Sequence, residues 1–155
     1  SGNKGIPTEK NLYIDGQAAI DWVKKNTGYH NRDIILYGES LGCGVAVELC
    51  LSDRFKSIIL EAPFISIVEI GQKKYPIYPI KYFTLDKFDN ISKINKILSP
   101  LLIINGKKDE VIPYIHGLRL FKKAKEPKKY LCVDEAMHNN LYDYNIEKNV
   151  INFNS

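Results

Sequence analysis

Short runs dominated by apolar residues recur along this sequence, and segments with a helical spacing of apolar positions lie between them. The apolar runs occupy residues 33–37, 57–61, 101–105 and 130–133, and the helical spacing marks residues 9–26, 40–51, 114–125 and 140 to about 153. Continuous rather than alternating hydrophobicity is typical of strands that are buried on both faces. The pattern therefore predicts an α/β fold, in which a parallel sheet of about four strands is flanked by helices.

Residues 64–98 interrupt this alternation. They show no clear period but are rich in aromatic residues, namely Phe64, Tyr75, Tyr78, Tyr82, Phe83 and Phe88. Such a segment predicts a lid-like insertion between the second and third strands. Two interpretations of its aromatic side chains stay open: they cover an acyl-binding pocket, or they pack against the sheet.

The composition is that of an ordinary globular domain. With 155 residues, of which 45% are apolar and 26% charged, the chain has room for one domain with a packed core and lacks the bias of a disordered protein. The longest nearly apolar stretch, residues 97–104, is too short to span a bilayer, and no signal peptide opens the sequence. We therefore expect a cytoplasmic or membrane-associated protein.

Charge and cysteine content exclude further classes. The net charge of +4 is small, and the lysines between positions 122 and 129 are expected to form a solvated helix end rather than a nucleic-acid-binding stripe. Cys43, Cys50 and Cys132 have neither zinc-site nor Cys-x-x-Cys spacing, which indicates free thiols in a reducing compartment, the first two facing the core. No motif for a metal or a nucleotide cofactor is present, so we expect none.

The strongest chemical signal is Gly38-Glu39-Ser40-Leu41-Gly42, which fits Gly-x-Ser-x-Gly. In this motif a serine lies on a tight turn between a strand and a helix, and small residues two positions before and after it let the two elements approach closely. An apolar run leads directly into the motif and a helical segment leads directly out. We therefore predict that the hydroxyl of Ser40 stands above the sheet edge as a nucleophile.

A serine nucleophile needs a base to take its proton and a carboxylate to orient that base. Asp109 follows the third predicted strand and His138 follows the fourth, so both are expected at the same sheet edge as Ser40. This order of nucleophile, acid and base predicts acyl-enzyme chemistry. Glu61, which ends the second strand, is expected to line the pocket or to pair with a helix terminus.

Other side chains compete for the roles of acid and base. Glu110 directly follows the preferred acid, Asp109, and is an alternative if the loop turns differently. Asp134 is close in sequence to the predicted base but would have to fold back to reach it. His30 and His116 fall before a strand and within a helix, so neither is expected near the site.

These blocks of sequence resemble the α/β-hydrolase superfamily of serine hydrolases. The resemblance runs from residue 5 to about 142 and rests on residues 5–9, 36–42, 61–64 and 106–113 and on His138-Asn139. Within the superfamily, the blocks are similar to the bud-emergence-type proteins and the protein depalmitoylases of the hydrolase-domain family. The resemblance implies that Ser40, Asp109 and His138 are nucleophile, acid and base. It also implies ester or thioester substrates, lipid or acyl-protein in kind, and association with a membrane surface.

The sequence lacks counterparts of the N-terminal strands of this family's domain. The four predicted strands correspond to strands 5 to 8 of the family's sheet, so the chain resembles the C-terminal half of the domain. The family's loop that donates one oxyanion-hole N–H, like its hydrophobic anchor, would lie upstream, which leaves the backbone N–H of Leu41 as oxyanion donor. We therefore expect either a serine hydrolase, weak or inactive as this fragment alone, or a non-catalytic interaction module; a peptidase is a third option. The first strand should present an open edge through which chains self-associate.

Overall fold

The computed structural model describes residues 5–155 and contains a parallel sheet covered by helices. The strands are β1 (Ile35–Glu39), β2 (Ser57–Glu61), β3 (Leu101–Gly106) and β4 (Lys128–Val133). The helices are α1 (Glu9–Thr27), α2 (Gly42–Leu49), α3 (Ile67–Lys74), α4 (Ile80–Phe83), α5 (Asn90–Lys93), α6 (Ile115–Lys123) and α7 (Ile146–Asn154). Short 3₁₀ turns occupy Asn31–Asp33, Ile94–Lys96 and Leu141–Tyr144. The predicted α/β fold is confirmed.

The strands lie in sequence order across the sheet, and every pair is parallel. All residues of β2 and β3 are buried, as their unbroken apolar runs predict. At the edge, Ile35 and Tyr37 of β1 are 38% and 40% exposed. Because β1 pairs only with β2 among the described residues, its outer edge is open there, and self-association through it stays a prediction.

The core lies on both faces of the sheet. Successive residues of the buried strands alternate between two apolar clusters, as the pleat requires. Ile58 and Leu60 of β2 belong to the cluster beneath α1, α2 and α6. Ile59, between them, belongs to the cluster against α7. The sheet is therefore the middle layer of a sandwich, and its carboxyl edge is left to the loops.

Helix α1 begins and ends where the sequence indicates. The side chain of Thr8 accepts the N–H of Asn11 at 3.2 Å, which caps the first turn, and Gly28 ends the helix with a φ of 75°. Gly16 brings the helix close to α2, since a Cβ there would lie 2.9 Å from a methyl carbon of Val45.

Within residues 5–155, no helix combines the length and the apolar character needed to cross a bilayer.

Three of the differences from the predicted boundaries have a local cause. β1 begins at residue 35 rather than 33, because Asn31–Asp33 closes a 3₁₀ turn. α2 begins at Gly42 rather than at the motif serine, whose φ of 50° is not helical. The final helical segment is divided by Asn145, whose φ of 55° ends the 3₁₀ turn and allows α7 to start in a new direction.

The insertion between β2 and β3 is buried at its two ends only. Phe64 and Phe88 are 1% and 3% exposed, and their rings meet edge to face with centroids 6.4 Å apart. They form a third apolar cluster with Ile112. These two aromatic side chains pack in the core, whereas the other four named above are exposed among residues 5–155.

Candidate active site

Ser40 lies on a strained turn between β1 and α2. Its φ of 50° is in the left-handed region, which non-glycine residues rarely adopt. The turn is held by the N–H of Ser40, which donates to the carbonyl of Glu61 at 2.9 Å, and by the N–H of Cys43, which donates to the carbonyl of Ser40 at 3.0 Å. The serine therefore stands at the carboxyl edge of the sheet, where the motif predicts it.

The two glycines of the motif are not equivalent. A Cβ at Gly38 would lie 2.7 Å from the carbonyl oxygen of Gly42 and 2.8 Å from the Cα of Cys43. A Cβ at Gly42 would meet no described atom within 4 Å. The sequence motif predicts that both positions must lack a side chain. Among the described residues, a Cβ would clash with the backbone at Gly38 but not at Gly42.

Asp109 is fixed by the loop that follows β3. Its Oδ1 accepts the backbone N–H groups of Val111 at 2.8 Å and Ile112 at 2.7 Å. Its side chain is fully buried. Because one oxygen is engaged by the backbone, the carboxylate has a single orientation, and Oδ2 is left to accept a further proton donor.

His138 connects Asp109 to Ser40. Its Nδ1 lies 2.8 Å from Oδ2 of Asp109, and its Nε2 lies 3.2 Å from Oγ of Ser40. Since a carboxylate only accepts, Nδ1 carries the proton and Nε2 faces the serine as an acceptor. The structure therefore brings all three predicted side chains into one hydrogen-bonded chain.

Close backbone packing positions the histidine loop. A Cβ at Gly106, the last residue of β3, would lie 2.5 Å from the carbonyl oxygen of Met137. The side chain of Asn140 accepts the N–H of Met137 at 2.7 Å, and the N–H of Lys108 donates to the carbonyl of Ala136 at 2.9 Å. The loop is thus tied to the end of β3 just before the imidazole, and Asn140 closes the turn just after it.

The competing side chains lie elsewhere. Asp134 is 73% exposed and pairs with Lys107 at 2.8 Å, which lowers the pKa of its carboxyl. Glu110 is exposed, and neither carboxylate bonds to the imidazole in the described residues. His116 is buried, where its Nδ1 accepts the N–H of Ile65 at 3.4 Å, and His30 is exposed. Of the candidate acids, only Asp109 contacts the base.

The backbone N–H of Leu41 is free to serve as an oxyanion donor. Leu41 directly follows the serine, and its N–H donates no hydrogen bond within residues 5–155. Its carbonyl accepts the N–H of Gly44 at 3.0 Å, which orients the peptide at the start of α2. The N-terminal end of a helix favours negative charge.

A polar network that the sequence did not reveal lies beside the triad. The hydroxyl of Tyr37 donates to the buried carboxylate of Glu61, and the hydroxyl of Tyr142 donates to that of Tyr37 at 2.9 Å. Burial raises the pKa of the Glu61 carboxyl, although the bond from Tyr37 and the nearby ring of His138 act in the opposite direction. Glu61 therefore bonds to a neighbouring strand rather than to a helix terminus, and the tyrosines connect β1 to the loop after β4.

The buried cysteines have structural surroundings. The thiol of Cys43 lies 3.1 Å from the carbonyl oxygens of both Gly38 and Glu61. Burial raises the pKa of Cys43 well above its usual value, and it raises the pKa of Cys50 to about 12. Both thiols face the core, as predicted.

Among the described residues, one cavity lies beside His138 and a second lies further along the carboxyl edge. One of about 320 Å³ includes His138, Val111 and Met137 in its lining, and one of about 440 Å³ extends from Val111 to Ile70 of α3. They share Glu110 and Val111, so together they form a groove that leads away from the imidazole.

No group of three or more potential metal ligands occurs among residues 5–155.

Comparisons with known proteins agree on one fold. The profile of the prolyl oligopeptidase family matches residues 7–146. Human alpha/beta hydrolase domain-containing protein 17B is 40% identical over 142 residues, which are 92% of this chain and 48% of that protein. An uncharacterized protein of Mycobacterium tuberculosis (strain H37Rv) is 36% identical over 138 residues, 89% of this chain and 49% of its own length. The chain thus spans about half the length of these relatives.

A solved structure shows the same architecture. The acetyl xylan esterase from Paenibacillus sp. R4 superimposes with a TM-score of 0.76 at 21% identity, over 94% of this chain and 52% of that one. At this identity the likeness concerns the fold alone.

Proposed function

This chain belongs to the prolyl oligopeptidase family, within the α/β-hydrolase superfamily, and from that premise we propose that it carries the acyl-transfer site of a serine hydrolase that cleaves carboxylic esters or thioesters. The observation that carries the proposal is the hydrogen-bonded chain from Ser40 through His138 to Asp109. Three groups from three different loops meet in the order that acyl-enzyme chemistry requires.

The proposed mechanism follows from the bonds. Nε2 of His138 takes the proton of Ser40 as Oγ forms a bond to the carbonyl carbon of the substrate, and the carbonyl oxygen becomes an oxyanion. Asp109 holds the imidazole in orientation and stabilises its positive charge. The N–H of Leu41 donates to the oxyanion. When the bond to the alcohol or thiol breaks, His138 returns the proton to the leaving group. Water then repeats the sequence on the acyl-enzyme and releases the acid.

The groove beside the imidazole favours an acyl chain as the part of the substrate bound there. Its lining near His138 includes the exposed side chains of Val111 and Met137, and Ile70 lies further along. Lysines and Glu110 line the groove as well, but its apolar side chains suit a chain of several methylene groups, each of which gains about 0.8 kcal/mol on burial. We therefore propose lipid or acyl-protein substrates in preference to acetyl esters.

A fluorophosphonate probe tests the nucleophile. The full-length protein should form a covalent adduct at Ser40, located by mass spectrometry. Labelling should be lost in Ser40→Ala, and His138→Gln should slow it by several orders of magnitude. The matched control is His30→Asn, which alters an exposed histidine outside the triad. An adduct on another serine, or undiminished labelling of Ser40→Ala, would refute the assignment.

A chain-length series tests the substrate class. Rates of hydrolysis of p-nitrophenyl esters by the full-length protein should rise from acetyl toward medium-length acyl chains. Val111→Trp should shift the optimum to shorter chains, because Val111 lines both cavities. A rate that falls steadily from acetyl onward would contradict an acyl-binding groove.

Peptide bonds are a second candidate, favoured by the family to which the chain belongs. The same steps cleave an amide, with an amine as leaving group. Hydrolysis of peptide anilides at a rate equal to or above that of matched esters would favour this class. A third outcome, no labelling and no turnover with an intact fold, would favour the non-catalytic interaction module.

A further inference from the structure

The insertion between β2 and β3 projects from the sheet as a helical hairpin, formed by residues 67–87. It leaves and returns at one place, where the N–H of Ile67 donates to the carbonyl of Lys87 at 2.9 Å. Its two helices, α3 and α4, pack through Gly71, since a Cβ there would lie 2.9 Å from a methyl carbon of Ile80. The base is fixed to α1, because the side chain of Glu9 accepts the N–H groups of Lys87 and Phe88 at 2.7 and 3.0 Å. The hairpin is therefore a defined element whose tip is exposed among residues 5–155.

The tip exposes large apolar side chains at close intervals. Six of them are between 51% and 93% exposed, and we call them the apolar tip: Tyr75, Ile77, Tyr78, Tyr82, Phe83 and Leu85. Single exposed apolar residues are ordinary, but a group of this size on one short segment marks an interaction surface. Four of the six are tyrosine or phenylalanine, and the tyrosine ring suits an environment that is apolar at one end and wet at the other.

The charge around the apolar tip has one sign. Residues 70–85 contain three lysines, at positions 73, 74 and 81, and no acidic residue. The flanking acids are engaged in the protein: Glu69 pairs with Arg119, and Asp86 accepts the N–H of Glu9 at the start of α1. Projecting apolar side chains bordered by lysine are the combination that binds the interface of an anionic bilayer.

We propose that the helical hairpin docks the protein on an anionic lipid surface, with the apolar tip inserted among the headgroups and acyl chains and the lysines against lipid phosphates and carboxylates. A second copy of this chain is a poorer occupant, because a symmetric contact between two tips would bring six lysines together. Protein interfaces also tend to exclude lysine from their cores. The hairpin follows β2, so docking would turn the carboxyl edge of the sheet toward the lipid.

Vesicle flotation of the full-length protein tests this proposal without requiring catalysis. Binding should be stronger to vesicles with about 30 mol% phosphatidylserine than to pure phosphatidylcholine. Tyr82→Ser/Leu85→Ser should weaken partition at least about tenfold, and Lys73→Gln/Lys74→Gln by about fivefold per lysine at low salt. The matched control is Ile151→Ser on α7, which removes an apolar side chain of comparable exposure, 62%, from another surface; its partition should not change.

A local probe separates the hairpin from any other membrane-binding element. In a Trp22→Phe background, which removes the native tryptophan of this sequence, Leu85→Trp should be quenched by brominated lipid in anionic vesicles, and Ile151→Trp should not. Three results would overturn the proposal: absence of quenching at position 85, equal quenching at both positions, and association of the protein in free solution that the tip substitutions abolish. The last would identify a second copy as the occupant.

Discussion

The substitution Gly38→Ala, set against Gly42→Ala, tests how the turn at Ser40 is built. The two glycines flank the serine symmetrically in sequence but not in space. A Cβ at Gly38 would lie 2.7 Å from one backbone atom of α2 and 2.8 Å from another, and neither can swing away as a side chain could. At Gly42 the same atom has no described neighbour within 4 Å. We expect the first substitution to distort the turn and the second to be tolerated.

The size of the effect follows from the overlap. A carbon placed 2.7 Å from an oxygen must retreat by roughly 0.5 Å or more to reach ordinary contact, which moves α2 away from β1. Overpacking of this kind lowers the free energy of unfolding by about 1–3 kcal/mol, or Tm by about 3–10 °C for a domain of this size. Since a misplacement of about 1 Å can slow chemistry about 100-fold, the rate of Ser40 labelling should fall further than stability does. Gly42→Ala lies at a helix start and should change stability by no more than about 1 kcal/mol, toward greater stability.

Thermal unfolding and the rate of fluorophosphonate labelling, both on the full-length protein, measure the two effects. Gly38→Ala should lower both the Tm and the rate of labelling at Ser40. Gly42→Ala should lower neither. Unchanged labelling of Gly38→Ala would refute the argument that backbone contact sets the turn. Equal loss in both variants would show that the space beside Gly42 is filled by something outside residues 5–155.

Three further predictions concern charge. Burial raises the pKa of Glu61, so its ionised carboxylate lowers the stability of the folded state at neutral pH. Glu61→Gln should therefore raise Tm at neutral pH, and this gain should disappear as the pH falls into the ordinary range of a glutamate. Measuring the Tm of both proteins from about pH 7 to about pH 4 checks the prediction. Burial lowers the pKa of His116 below its usual 6.5, so the unfolded chain takes up a proton at a higher pH than the folded protein does. Stability should therefore decrease as the pH falls through about 6.5. His116→Asn should remove this decrease from the same Tm profile. Asp109→Asn should slow labelling of Ser40 on the order of 1,000- to 10,000-fold, whereas Asp134→Asn, which alters an exposed pair, should leave the rate within about twofold.

The arrangement of Ser40, Asp109 and His138 could be predicted because a parallel sheet brings the carboxyl ends of its strands to one edge. Each residue follows an apolar run that is buried on one or both faces, so locating the runs also located the loops. The ends of the strands alone do not distinguish Asp109 from its neighbour Glu110. Burial then explains the choice, since the loop encloses Asp109 and leaves Glu110 and Asp134 in solvent, the latter paired with a lysine.

The tyrosine network beside the triad could not be predicted. The hydroxyl bonds among Glu61, Tyr37 and Tyr142 span up to 105 residues, and no local pattern marks either tyrosine. Aromatic composition predicts the insertion but not which of its rings are buried: Phe64 and Phe88 are, whereas the rings of the apolar tip are exposed among residues 5–155. Composition reports the apolar character of a segment, and only the fold determines which surface that segment meets.

In the mechanism proposed above, activation of the nucleophile and stabilisation of the oxyanion depend on different parts of the site. The two groups proposed to activate Ser40 lie in the described residues, and bonds of 2.8 and 3.2 Å join the three side chains. Oxyanion stabilisation rests there on the N–H of Leu41, and a single missing donor costs about 2.7–4 kcal/mol of transition-state stabilisation. A phosphonate adduct needs chiefly an activated serine, whereas repeated turnover of an ester needs the oxyanion stabilised in each step. Labelling and turnover therefore answer separate questions: labelling without turnover would show an intact triad with an incomplete oxyanion hole, and would not by itself favour an inactive protein.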